Sequence, residues 1–250
     1  MRLKAACAAC TILAAALLAG CAAPPAPRPP AGAAPPPALT APYAAAARAG
    51  ETVYALDASA SQVVVLVDKA GPLAAFGHRH AIAAGGLRGF ALLRGDGSGR
   101  ANLLFPVKAL EVDPPALRRS LGGDYAEPLD KEAREGTRKH MLGQSVLDAT
   151  RYPWIALAVS AASGDNPRSV EVRVTLHGET RALSTPARLA RQGANLAVAG
   201  SFTVRQTEFG IKPYSAALGG LRVKDALEIR YHLLFRRWCG EGDNDGSTAC

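Results

Sequence analysis

The chain has 250 residues and a formal net charge of +8, with 29 Lys and Arg side chains against 21 Asp and Glu. This length suits one or two domains with a sizeable core, and the hydrophobic content of 48% excludes a wholly disordered protein. No apolar run of about 18 residues follows residue 21, which excludes a membrane protein with several spans. The basic side chains are not clustered with aromatic ones, so nucleic acid is not an expected partner.

The first twenty residues have the features of an export signal. Arg2 and Lys4 precede an apolar stretch that ends in Leu18-Ala19-Gly20, directly before Cys21. This order resembles the lipobox of bacterial lipoproteins, in which the cysteine is acylated and begins the mature chain. We therefore predict a signal peptide over residues 1–20 and lipid attachment at Cys21. A plain signal peptide or a single membrane anchor is the alternative.

The residue after the cysteine bears on where such a lipoprotein would reside. In Gram-negative bacteria, an Asp at this position is associated with retention in the inner membrane, whereas this chain has Ala22. By this resemblance we expect the protein on the periplasmic side of the outer membrane, held there by its lipid anchor. Two or more acyl chains make a stable anchor, because a single chain gives only marginal binding.

Proline and alanine dominate residues 22–50, which contain half of the chain's 18 prolines. Proline fixes φ and donates no backbone hydrogen bond, so this stretch favours polyproline II and cannot build a core. We predict a linker over residues 21–50 and a single folded domain over residues 51–238. Residues 239–250 form a tail of loop-forming residues, and Cys239 and Cys250 at its ends are an even pair that predicts a disulfide in an oxidising compartment.

Alternation of apolar and polar residues with a period of two dominates the chain after Thr52, as in antiparallel strands with one dry face. Seven to nine such strands indicate an all-β barrel or sandwich. The clearest strand candidates are residues 169–177, 196–204 and 227–235, and the others are 53–56, 63–68, 87–94, 100–107, 153–160 and 180–189. Their apolar faces, which we expect to point inward, include Val170, Val172, Val174, Leu176, Leu196, Val198, Gly200, Phe202, Val204, Leu227, Ile229, Tyr231, Leu233 and Phe235.

One stretch has a helical pattern instead. Residues 128–142 are rich in Lys, Glu and Arg and are weakly amphipathic through Leu129, Ala133 and Met141. We predict a helix that lies over one end of the barrel. A shorter helical turn is predicted over residues 115–121.

Several short motifs, in order and at similar spacing, resemble the YceI-like family of periplasmic lipocalin-like proteins. They include Tyr54-Ala55-Leu56-Asp57, Gly77-His78-Arg79-His80, Leu87-Arg88-Gly89-Phe90, Leu110-Glu111-Val112-Asp113, Tyr152-Pro153-Trp154-Ile155, Leu176-His177-Gly178-Glu179-Thr180-Arg181 and Glu208-Phe209-Gly210-Ile211. The resemblance implies a single antiparallel, roughly eight-stranded, lipocalin-like barrel around an elongated apolar channel. It also implies a long isoprenoid-type lipid as ligand, such as a quinone tail or a polyprenyl chain.

On this basis we predict a binding protein without catalytic activity or cofactor, whose partners are an apolar chain lipid and the membrane. The sequence predicts no oligomeric state. The side chains expected to contact the lipid are Val63, Val65, Phe90, Phe105, Trp154, Leu176, Phe202 and Tyr231. For the aromatic residues among them, ordinary core packing is the alternative.

His78 and His80 are expected at the polar mouth of the channel. On a strand, positions i and i+2 share a face, so the two imidazoles could instead share a metal ion, with His177 as the best third ligand. The second function hypothesis is therefore a metal-dependent enzyme, with a metal-bound water as nucleophile. The third is a structural envelope lipoprotein whose barrel is filled with side chains. The sequence contains no nucleophile elbow, zinc-protease helix or phosphate-binding glycine loop.

Overall fold

Most of the described chain is β-strand, as the alternating pattern predicts. The computed structural model describes residues 38–164 and 168–240. Its strands are β1 (Val53–Leu56), β2 (Gln62–Val67), β3 (Lys69–Ala70), β4 (His80–Ala84), β5 (Arg88–Leu93), β6 (Gly99–Pro106), β7 (Leu110–Val112), β8 (Trp154–Ala161), β9 (Arg168–Leu176), β10 (Glu179–Gln192), β11 (Asn195–Arg205), β12 (Ser215–Ala216), β13 (Leu221–Val223) and β14 (Ala226–Trp238). The α-helices are α1 (Thr40–Arg48), α2 (Pro115–Leu121) and α3 (Lys131–Leu142).

Eight of these strands form a closed antiparallel barrel in the order β1-β5-β6-β8-β9-β10-β11-β14, with β1 paired back onto β14. This confirms the predicted fold class. One edge of the long strand β14 pairs with β11. Its other edge pairs with two strands, β1 and β2. Leu56 of β1 lies opposite Phe235, and Val63 of β2 lies opposite Tyr231. Strands β4 and β7 continue from β2, and β12, β13 and β3 form a small separate sheet.

The period of two correctly predicted which side chains point inward. On β9, Val170, Val172 and Val174 are buried, while Glu171 and Arg173 between them are exposed. Every strand predicted from alternation is present. Alternation did not predict β4 and β7, because these strands are short and β4 is rich in alanine, a residue with low strand preference.

Helix α3 lies over one end of the barrel, as predicted. The Asp130 side chain caps it by accepting a hydrogen bond from the Ala133 amide at 2.7 Å, so the helix begins after Asp130. Thr137, His140 and Met141 face the barrel interior. Met141 was predicted to lie on the apolar face, whereas Ala133, which was also predicted there, is exposed in the first turn. None of the described helices is both long and apolar enough to cross a membrane.

Helix α1 corrects the prediction that residues 21–50 contribute nothing to the core. Its Tyr43 is 0% exposed and stacks on Phe90, with ring centroids 5.3 Å apart. The Tyr43 hydroxyl donates a hydrogen bond to Asn102 Oδ1 at 2.8 Å, and burial raises the pKa of Tyr43 to about 12. Alanine is the strongest helix former, and Pro42 is tolerated because it lies in the first turn, where amides need no helical partner.

Truncating Tyr43 tests whether α1 belongs to the folded domain. Tyr43→Ala is expected to lower the free energy of unfolding by about 3–5 kcal/mol, the range for deleting a large buried aromatic side chain. Tyr43→Phe keeps the ring and removes only the hydrogen bond, so a loss of about 1 kcal/mol is expected. Urea denaturation followed by circular dichroism measures both. Unchanged stability in Tyr43→Ala would mean that this segment is only a tether.

Candidate functional site

The barrel encloses an apolar cavity of about 420 Å³. This volume lies within the range of sites that hold small molecules, about 300–1,000 Å³. Valine, leucine and isoleucine side chains from seven of the eight barrel strands, all but β1, and from β2 and β4 make most of its wall, and α3 closes one end with Thr137, His140 and Met141. The cavity contradicts the hypothesis of a barrel filled solid with side chains.

Six of the eight predicted lipid contacts line this cavity, and two do not. The six are Val63, Val65, Phe105, Leu176, Phe202 and Tyr231. Phe90 lies on the outer face of β5, where it packs between Tyr43 and Trp238. Trp154 precedes Ile155, which does face the interior, so the alternation of β8 places Trp154 outside. The prediction that Phe90 and Trp154 line the channel was therefore wrong.

Tyr231 places a polar group in the wall of the largely apolar cavity. Its hydroxyl lies against Gly200 on the neighbouring strand, where an added Cβ would overlap the hydroxyl and come within 3.0 Å of the Pro186 carbonyl oxygen. A glycine at position 200 is thus needed to make room for the Tyr231 ring. Burial raises the pKa of Tyr231, so the hydroxyl stays protonated at neutral pH and can donate a hydrogen bond to a ligand.

A buried charged cluster lies at the end of the cavity where β4 begins. The Asp113 side chain is 0% exposed and accepts hydrogen bonds from the Ala81 amide at 2.9 Å and from Arg118 Nη1 at 2.7 Å. His80 Nδ1 lies 2.6 Å from the other carboxylate oxygen of Asp113, and His80 also lines the cavity. We call His80, Asp113 and Arg118 the buried ionic cluster.

The ionisation of Asp113 fixes the tautomer of His80. Burial alone raises the pKa of Asp113, but the hydrogen bonds from His80 and Ala81 and the Arg118 guanidinium outweigh it, so the net pKa is lowered. A carboxylate only accepts hydrogen bonds, so Nδ1 of His80 carries the proton. Nε2 forms no hydrogen bond within the described part of the chain and is available to a polar group in the cavity.

Arg118 holds the buried ionic cluster to its surroundings. It is 3% exposed and donates to the Arg79 carbonyl at 2.8 Å and to the Glu127 carbonyl at 3.0 Å. Its Nη2 atom is buried and has no hydrogen-bond partner among the described residues. Sequence reasoning singled out His80 but assigned no role to Asp113 or Arg118. A signal was present, because Asp113 follows a strand and Arg118 lies on the helix that begins two residues later.

His78 does not share a face with His80. It lies before the first residue of β4, so the two-residue period does not apply, and its Nδ1 is 3.3 Å from Glu127 Oε2 on the surface. His177 lies elsewhere, with Nδ1 3.1 Å from the Phe209 carbonyl oxygen and its ring against Tyr152. Within residues 38–164 and 168–240, no three His, Cys, Asp or Glu side chains are grouped so that they could hold a metal ion.

Two predicted sites involve residues that the structure does not describe. Cys21 and Cys250 lie outside the described residues, whereas Cys239 directly follows β14. Acylation of Cys21 and pairing of Cys239 with Cys250 therefore stay predictions.

Solved structures of other proteins share the barrel architecture. Among solved structures, the chain is similar to Burkholderia cenocepacia BcnA, with a TM-score of 0.52 and 16% identity over 72% of this chain and 98% of that one. A polyisoprenoid binding domain from Saccharophagus degradans gives a TM-score of 0.49 and 12% identity over 74% and 98%. The Campylobacter jejuni YCEI protein gives 0.40 and 8% over 56% and 72%.

Sequence comparison gives the family. No curated protein matches the chain. The likeness to BcnA supports the barrel fold, and residues 54–235, most of the chain, match the model of the YceI-like domain. The protein with this barrel and apolar cavity therefore belongs to the YceI-like family.

Proposed function

We propose that this protein binds one long apolar lipid of the isoprenoid type inside its barrel, without catalysing a reaction on it. The observation that carries the proposal is the apolar cavity inside the barrel. Membership of the YceI-like family supports the same function, since the resemblance to that family implies an isoprenoid-type lipid as ligand. We also propose that the acylated Cys21 tethers the protein to the periplasmic face of the outer membrane.

Apolar burial supplies the binding free energy. Removing apolar surface from water contributes about 25 cal/mol per Å². A lipid tail that buries roughly 400 Å² therefore gains about 10 kcal/mol before the cost of ordering the tail is subtracted. Hydrocarbon walls discriminate weakly between tails of similar shape, since one methylene changes binding by only about 1–3 kcal/mol.

Among the polar side chains of the cavity wall, Tyr231 and His80 would contact the head of the lipid rather than its tail. The Tyr231 hydroxyl donates a hydrogen bond, and Nε2 of His80 accepts one when the imidazole is neutral. A quinone carbonyl is an acceptor that suits Tyr231, and a hydroxyl headgroup is a donor that suits His80. Since an unpaired polar group in an apolar site is costly, these two residues favour a lipid that has at least one polar atom.

Lipid extraction from the native protein tests the proposal. The full chain is purified from its own bacterial envelope, extracted with organic solvent, and the extract is analysed by mass spectrometry alongside metal analysis of the same sample. We expect about one isoprenoid lipid per chain and no stoichiometric metal. A lipid-free protein would overturn the proposal, and stoichiometric metal without lipid would favour the metalloenzyme. An equal mass of a different envelope lipoprotein, purified in the same detergent, controls for carry-over.

A further inference from the structure

The large hydrophobic side chains that are exposed within the described residues lie on two neighbouring loops. They are Leu73, Phe76, Tyr214 and Leu218, and their exposed fractions are 40%, 81%, 40% and 109%. Single exposed apolar side chains scattered over a surface are ordinary, but a group of them at one place marks an interaction site. We call these four residues the apolar rim.

Backbone contacts hold the two loops together. The Leu73 amide donates a hydrogen bond to the Gly220 carbonyl at 2.9 Å, and Arg222 of β13 pairs with Ala70 of β3. The loops approach so closely that a Cβ on Gly220 would come within 2.7 Å of Leu73 Cδ1. The apolar rim is therefore one platform rather than two independent loops.

The apolar rim adjoins the cavity. Tyr214 belongs both to the rim and to the cavity wall, and its ring lies 5.2 Å from that of His140 on α3. Val223, at the end of β13, also lines the cavity. The rim thus lies at the end of the barrel that α3 covers and where His80 faces the interior.

Positive charge accompanies the rim. Lys212 and Arg222 are exposed, and neither forms an ion pair among the residues that the structure describes. Among the carboxylates on the neighbouring segments, Asp68 binds Arg79 and Lys224, and Asp124 binds Arg79. Glu208 is exposed and forms no ion pair with any residue that the structure describes. Lys212 and Arg222 are therefore open to contact with anionic groups such as lipid headgroups.

We infer that the apolar rim inserts into a lipid surface that contains anionic headgroups, so that the α3 end of the barrel faces the membrane. Phe76 and Leu218 would enter the boundary between headgroups and acyl chains, and Lys212 and Arg222 would contact the phosphates. Membrane lipid is favoured over a protein partner because the same platform borders an apolar cavity. A lipid that leaves a bilayer could enter the cavity there without crossing water.

Tryptophan quenching tests the insertion in the full chain. Leu218→Trp is mixed with vesicles of phosphatidylcholine and phosphatidylglycerol whose acyl chains are brominated, and the unsubstituted chain gives the background from Trp154 and Trp238. We expect strong quenching and a blue shift for the new tryptophan. The matched control is Gln192→Trp, an exposed position at the opposite end of the barrel. Gln192 pairs with Asn195, which lies opposite Arg236, and Arg236 is ten residues along β14 from Ala226. Quenching of Leu218→Trp at the background level, or equal quenching at both positions, would overturn the inference.

Charge reversal tests the headgroup contact. Lys212→Glu with Arg222→Glu is expected to reduce the quenching of Leu218→Trp severalfold in anionic vesicles. Arg48→Glu with Arg188→Glu makes the same change in net charge on exposed residues of α1 and β10 and should have little effect. Equal effects of the two pairs would overturn the headgroup contact. Lipid extraction from the same variants reports on the cavity separately, so a rim that fails to insert is distinguished from a barrel that carries no lipid.

Discussion

Val198→Trp is expected to abolish lipid binding while the barrel remains folded. Val198 is half-buried, lines the cavity and lies opposite Leu189 and Leu233 on the two neighbouring strands. An indole at this position would occupy space that the proposed lipid tail needs. Overfilling a packed core costs about 1–3 kcal/mol, and the cavity beside Val198 leaves room to reduce that cost. Lipid content per chain, measured by mass spectrometry after extraction, should fall to the level of the carry-over control.

The adjacent residue provides the matched control for this substitution. Ala199 is on the same strand but faces outward, because side chains alternate between the two faces. It lies opposite Arg188 and His232, which are both exposed. Ala199→Trp should therefore keep the full lipid content. Normal lipid content in Val198→Trp, with a cooperative thermal transition, would show that the ligand does not lie in the cavity.

The second large effect is expected in stability. Asp113→Ala removes the carboxylate of the buried ionic cluster and leaves Arg118, which is 3% exposed, without its counter-charge. Breaking a buried ion pair by removing one partner costs about 3–5 kcal/mol. Asp113 also has φ of 51°, a left-handed conformation that aspartate and asparagine tolerate better than alanine. Urea denaturation followed by circular dichroism measures the loss.

Asp113→Asn isolates the charge from the backbone conformation. Asparagine suits the left-handed conformation and can still accept from the Ala81 amide. Adding Arg118→Leu to this variant should restore part of the lost stability, because removing both charges of a buried pair is often close to neutral. If the double variant is less stable than Asp113→Asn alone, the hydrogen bonds of Arg118 to the carbonyls outweigh the charge balance.

The stabilising effect of Asp113 should also depend on pH. Its pKa is lower in the folded protein than the ordinary value of about 3.9. A carboxyl with a lowered pKa stabilises the fold above that ordinary value, and the stabilisation is lost as the pH falls through the folded-state pKa. The difference in stability between the unsubstituted chain and Asp113→Asn should therefore narrow as the pH falls below about 4. A constant difference from pH 7 to pH 3 would contradict a charged Asp113.

The strands and their inward faces could be predicted from the sequence because both follow from a local pattern. Val170, Val172 and Val174 alternate with charged residues, and this alternation alone distinguishes the inside from the outside of the barrel. Phe90 and Trp154 were predicted to contact the lipid inside the barrel. Their position in the alternation places them outside, so periodicity was the better guide than residue type.

The remainder of the site depends on contacts between distant parts of the chain. His80 and Asp113 are brought together by the pairing of β4 with β7, two short strands that have no clear pattern. Helix α1 packs on the barrel because Tyr43 stacks on Phe90 of β5, and Phe90 in turn contacts Trp238 of β14. By composition, residues 40–48 are a low-complexity segment rich in alanine. No local pattern indicates that the outer face of the barrel offers Phe90 and Trp238 for this segment to pack on.

The pairings of β14 have a consequence for how the chain reaches its native state. This final strand contacts β1, β2 and β11, and its Trp238 pairs with Val53 near the start of the barrel. Ring closure must therefore wait until β14 has been synthesised, and contacts between such distant residues form slowly. During that interval the unpaired edges of β1 and β11 are open to aggregation, so a ribosome that stalls before Ala226 would release a misfolding-prone chain.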